Sequence, residues 1–135
     1  MKNKKNISDI VFPIVLFCWF ILPGITLSQP GITRFDLQNN DLSTPGREVV
    51  QVRVEFDSGA VSKKHSHPGE EIVYVIEGIF EYQLEGQPPI ILKTGDVLFI
   101  PSGTPHLVKN IGSGTAKELA TYIVEKGKPL IVNNE

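Results

Sequence analysis

Residues 59–78 read GAVSKKHSHPGEEIVYVIEG. At the centre stands His65-Ser66-His67. On an extended chain residues i and i+2 point to one face, so both imidazoles can approach a common point. Pro68-Gly69 turns the chain, and Glu71 opens a new run, Glu71–Ile76, rich in β-branched residues. This run reads as the antiparallel neighbour of the histidine strand, with the Glu71 carboxylate across from the two rings. Glu70 falls on the opposite face by strand alternation.

Outward from this stretch the signal stays at period two. Val50, Val52, Val54 and Phe56 alternate with Gln51, Arg53 and Glu55, a strand with one buried face. Before it, residues 29–46 are polar and turn-rich and read as an arm with one short strand at Ile32–Phe35. Short β-rich runs occur at Ala60–His65, Ile79–Leu84, Pro89–Lys93, Val97–Ile100, His106–Asn110 and Ala116–Glu125, separated by Gly and Pro turns. No stretch shows a helical period. Such spacing indicates an all-β sandwich or barrel. The chain has 3 histidines. The last, His106, opens a late strand and is expected to reach the common point from across the barrel. Three neutral imidazoles and one carboxylate suit Fe, Mn, Ni, Zn or Cu(II) and leave coordination positions open. An open position distinguishes a catalytic metal site from a structural one.

Two spaced patterns frame these residues. The first is Gly59, five residues, His65, one, His67, three, Glu71, six, Gly78; the second is Gly95, five, Pro101, one, Gly103, two, His106, three, Asn110. Sixteen residues lie between them. Together they resemble the two motifs of the cupin superfamily, with every fixed position filled. The resemblance implies a small single-domain cupin: a double-stranded β-helix, or jelly-roll barrel, with one divalent transition metal in its mouth. It implies that His65, His67 and Glu71 from the first motif and His106 from the second are the ligands. Pro101 and the motif glycines would shape turns, and Asn110 would be a hydrogen-bonding residue that holds one.

A fold does not name a reaction. The first expectation is a dioxygenase-type oxidoreductase acting on a small organic molecule, with Glu71 loosening from the metal to serve as a catalytic base. The alternatives are a metal-dependent isomerase, epimerase or lyase on a sugar or hydroxy acid, or a non-catalytic metal- or ligand-binding module. No second general base is evident, and the arginines are only Arg34, Arg47 and Arg53. The substrate is therefore not legible. Tyr74, Tyr82 and Phe99 read as core aromatics before pocket lining.

Lys2, Lys4 and Lys5 precede an apolar run, Ile10–Leu22, and small or polar residues ending at Ser28. That order is expected of a secretory signal cleaved near Ser28/Gln29, and it implies a periplasmic or secreted protein. An uncleaved anchor is the alternative, disfavoured because Pro13 and Pro23 interrupt a short apolar core. The chain thus divides into a signal (1–28), an arm (29–46), a barrel (47–127) and a tail (128–135). Cys18, the 1 cysteine, lies in the signal, so the mature part has neither a disulfide nor a thiolate site. Without Lys2, Lys4, Lys5 and Asp9 the net charge is about −4, with no basic run. Nucleic acid and anionic membranes are poor partners. If Glu71, Val73 and Val75 face inward, Ile72, Tyr74 and Ile76 face outward, and that face is equally apolar. Val97–Ile100 is apolar on both faces. Either the arm or Pro129–Val132 could cover this surface, in cis or exchanged with a second subunit. A homodimer is the expectation.

Overall fold

The computed structural model describes residues 29–134. The signal expected at residues 1–28 and its cleavage point lie outside the described residues. Among the described residues no helix is long and apolar enough to cross a membrane. The described residues form ten strands in two antiparallel sheets. The first contains β1 (Ile32–Asp41), β2 (Arg47–Phe56), β4 (Gly69–Glu77), β7 (Val97–Ile100) and β9 (Ala116–Glu125), in the order β1-β2-β9-β4-β7. The second contains β3 (His65–Ser66), β5 (Ile79–Leu84), β6 (Ile90–Lys93), β8 (His106–Asn110) and β10 (Val132–Asn133), in the order β10-β3-β8-β5-β6. From β2 onward every connection except β5–β6 changes sheet. The result is a jelly-roll barrel, the all-β fold expected from the motifs.

Alternation builds the core. Val52, Val54 and Phe56 of β2 and Val73 and Val75 of β4 turn inward from the first sheet. Phe80, Tyr82, Leu84 and Val108 meet them from the second, with Phe56 and Phe80 edge to face at 5.2 Å between centroids. Each buried Val or Phe contributes roughly 1.5–3 kcal/mol of transfer free energy. Two turns depend on particular residues. Gly78, where the chain crosses from β4 to β5, has φ +87°, and a Cβ there would lie 2.7 Å from the Ala116 Cβ. Asn110 is fully buried, and its Nδ2 donates to the carbonyls of Phe56, Asp57 and Gly114 at 3.0, 3.1 and 2.7 Å. Its Oδ1 accepts from the Gly112 N–H at 2.9 Å. It holds its turn by hydrogen bonds, as expected.

Several local readings change. The strand expected at Ile32–Phe35 runs on to Asp41, paired with β2 from Ile32↔Phe56 to Asp41↔Glu48. An edge strand held by main-chain bonds can be polar, which hides it from hydrophobic patterning. The run Ala60–His65 shrinks to the two residues of β3, preceded by an isolated bridge between Val61 and Lys109. More consequential is the pairing of the histidine strand. β4 is not its neighbour: β3 and β4 belong to different sheets, and β3 pairs with β8, His65 directly opposite His106. Glu71, not His106, comes from across the barrel. Spacing had fixed which face each residue shares, but not which strand lies beside it.

Candidate metal centre and its pocket

One inward row of the first sheet reads Val50, Tyr122, Glu71, Ile100 across β2, β9, β4 and β7. Facing it, β3 and β8 supply His65 and His106 side by side, and His67 follows β3 by one residue. The imidazole donor atoms of His65, His67 and His106 all lie within 4.8 Å of one another, and all three residues are buried. Glu71 joins two of them: its Oε2 is 3.1 Å from His67 Nε2 and 3.2 Å from His106 Nε2. All four residues singled out in the sequence therefore converge. Glu70 points away, as expected, and pairs with Arg47 at 2.7 Å.

The backbone sets the rings. His65 Nδ1 lies 2.8 Å from the Lys63 carbonyl, His106 Nδ1 2.9 Å from the Thr104 carbonyl and His67 Nδ1 2.6 Å from the Leu130 carbonyl. A carbonyl can only accept, so each Nδ1 carries the proton, and each Nε2 lone pair is presented to the common point. Leu130 belongs to the C-terminal segment, whose β10 pairs with β3. That segment supports the site and is not the cover of the outer face.

With this tautomer His67 Nε2 and Glu71 Oε2 are buried and have no hydrogen-bond partner. Two nitrogen lone pairs and a carboxylate oxygen facing one another require a positive charge between them: a proton or a metal cation. The electrostatics agree. Burial pushes the Glu71 carboxyl up, but a proton held on the facing nitrogen of His106 or His67 outweighs it by hydrogen bonding and charge, and the pKa is held at about 2. Burial pushes His65 down, reinforced by the charge of His106, to about 4. Burial also opposes charge on His106, yet its contact with Glu71 raises it above the ordinary value. An anionic carboxylate beside imidazole lone pairs, each ring oriented by a backbone acceptor, fits one divalent ion.

His65, Glu71 and His106 open onto a cavity of about 90 Å³, lined also by Arg34, Val54, Phe56, Glu118 and Tyr122. Glu118 was not anticipated. Its side chain is buried and accepts a short hydrogen bond from the Tyr82 hydroxyl. Burial, then the charge of Glu71, raises its pKa to about 8. The signal was available in β9: Ala116, Glu118, Ala120, Tyr122 and Val124 share one face, and all are buried. Of the aromatics read as core, Tyr82 is core, while Tyr74 and Phe99 are exposed on the outer face.

A family model described as "Cupin domain" matches residues 52–131, and the chain belongs to the cupin family. Dimethylsulfoniopropionate lyase DddQ of Ruegeria pomeroyi is 47% identical over 56 residues, covering 42% of this chain and 28% of that protein. The structure of KdgF from a Halomonas species superposes with a TM-score of 0.59 at 30% identity, covering 73% of this chain and 84% of that one. A recombinant oxalate oxidase in complex with glycolate superposes with a TM-score of 0.63 at 25% identity, covering 82% and 58%. The chain spans between 28% and 57% of the length of the first curated relatives it matches.

Proposed function

We propose that the chain is an exported cupin enzyme that holds one divalent transition metal through His65, His67, Glu71 and His106. Its reaction on a small organic molecule is metal-assisted proton transfer of the lyase or isomerase type. The observation that carries this reading is Glu118, a second carboxyl buried in the pocket onto which His65, His106 and Glu71 open. A bound divalent ion supplies Lewis-acid polarisation of a substrate oxygen. Glu118, whose pKa burial raises to about 8, moves the proton, and the Tyr82 hydroxyl fixes its orientation. Val54, Phe56 and Val108 give the same pocket an apolar lining. The likeness to DddQ, a lyase by name, supports the same class.

The oxidoreductase reading stands second, supported by the likeness to an oxalate oxidase. An oxygen electrode separates the two. Substrate turnover in the absence of O₂, with kcat lowered by about 10²-fold or more in Glu118→Gln, is the expected result. Stoichiometric O₂ consumption would favour the second reading.

The proposal includes export, on the signal-like order of residues 1–28, and a homodimer. The outer face of β4 and β7 exposes Ile72, Tyr74, Ile76, Val97 and Phe99. Neither expected cover lies over it: β1 occupies the opposite edge of that sheet from β7, and β10 belongs to the other sheet. A second copy is the remaining cover considered.

A further inference from the structure

The three arginines of the chain are not equivalent. Arg47 pairs with Glu70 at 2.7 Å and Arg53 with Glu55 at 3.0 Å, both on the outside of the barrel. Arg34 turns inward. It stands in the row Arg34, Val54, Glu118, Val75 across β1, β2, β9 and β4 and lines the mouth of the pocket. Its hydrogen-bonding partner is the neutral Tyr122 hydroxyl, at a long 3.4 Å, and its guanidinium lies 6.0 Å from the centroid of that ring. Among the described residues it makes no ion pair. β1 is a largely exposed edge strand, so packing does not require a cation at this position.

We propose that Arg34, flanked by Tyr122 and Glu118, is a subsite for the carboxylate of a small organic acid whose other end reaches the histidines. The proposal rests on the metal-centre reading for that other end alone. Among the described residues Arg34 is the one lysine or arginine lining this pocket. Its planar fork of donors matches a carboxylate in two parallel hydrogen bonds, which a weak contact to a phenol leaves free. Glu118 in the same row does not compete for the guanidinium, because its carboxyl is engaged by Tyr82 and burial keeps it protonated at neutral pH. The Tyr122 hydroxyl, beside both, adds a neutral donor. The rest of the lining is mainly apolar, broken by Gln29 and Ser62, and the small cavity suits a ligand of a few carbons.

Calorimetric titration tests the assignment. The protein, loaded with redox-silent Zn(II), is titrated with glycolate, lactate and malonate, and with glycolamide as the neutral control. At least one acid binds, Arg34→Gln weakens it by about tenfold or more, and Arg34→Lys weakens it less. Glycolamide and Zn(II) titrate alike in wild type and Arg34→Gln. The inference is overturned if no acid binds up to about 10 mM, if Arg34→Gln binds it as tightly as wild type, or if glycolamide loses equally. Zn(II) titration of His106→Ala reports separately on the metal centre. If wild type takes up no Zn(II), the acids are titrated against metal-free protein, where dependence on Arg34 still decides the subsite.

Discussion

Each imidazole at the centre is fixed through the nitrogen that does not face the common point, and in each case the acceptor is a backbone carbonyl. The convergence of His65, His67, Glu71 and His106 was legible because metal ligation demands residue types and spacings that a sequence displays directly. Glu118 was not, because a carboxylate between Lys117 and Leu119 reads as a solvated strand residue unless the inward phase of β9 is followed. Its burial has a pH signature. The folded-state pKa of about 8 lies above the ordinary 4.5, so the folded protein binds the extra proton between those values. The stability contributed by this group is complete below 4.5 and is lost as pH rises through about 8. Glu71 has the opposite sign: held at about 2, it contributes above the ordinary 4.5, and that contribution is lost as pH falls toward 2. Thermal melts of the chelated protein should therefore show Tm falling between pH 6 and pH 9 in wild type, at about 4–8 °C per kcal/mol. Glu118→Gln should flatten that fall; an unchanged slope would show that Glu118 ionises like an exposed carboxylate.

Among the elements, strand faces were legible and strand partners were not. β-rich runs between turn residues placed β5, β7, β8 and β9 at their observed bounds, and β2, read from Val50 to Phe56, begins at Arg47. Such patterning carries no record of which strand bonds to which, so the neighbours of the histidine strand were exchanged: β8 lies beside it and β4 across from it. The C-terminal segment shows the same limit. Pro129–Val132 reads as a possible cover for the outer face, yet Leu130 orients His67 and β10 pairs with β3. Deleting residues 129–135 should weaken metal affinity by about 10–100-fold, the usual effect of losing a group that orients a ligand, while the barrel stays folded. Circular dichroism and a competitive chelator titration check this; unchanged affinity would mean that the Leu130 contact has no influence on His67. Asn110→Ala acts on the fold instead. It leaves the Phe56, Asp57 and Gly114 carbonyls without their shared donor and should cost about 1–3 kcal/mol in urea unfolding.

For the whole molecule, the expectation that the outer face of β4 is as apolar as its inner face holds at each residue. Val73 and Val75 are fully buried, while Ile72, Tyr74 and Ile76 are 38%, 45% and 39% exposed. Val97 and Phe99 extend the patch onto the edge strand at 64% and 57%. Light scattering at micromolar concentration should give the mass of two chains, and Tyr74→Lys, placing a charge within the patch, should give one. A wild-type monomer would remove the dimer from the account. The central claim is that the barrel exists to hold one metal ion at the convergence of His65, His67, Glu71 and His106. Elemental analysis of wild type and His106→Ala, purified from the same metal-supplemented growth, tests it directly. The account predicts about one divalent transition-metal ion per chain in wild type and near none in a His106→Ala variant that keeps its circular dichroism spectrum. Folded His106→Ala with full metal content, or wild type with none, would contradict it.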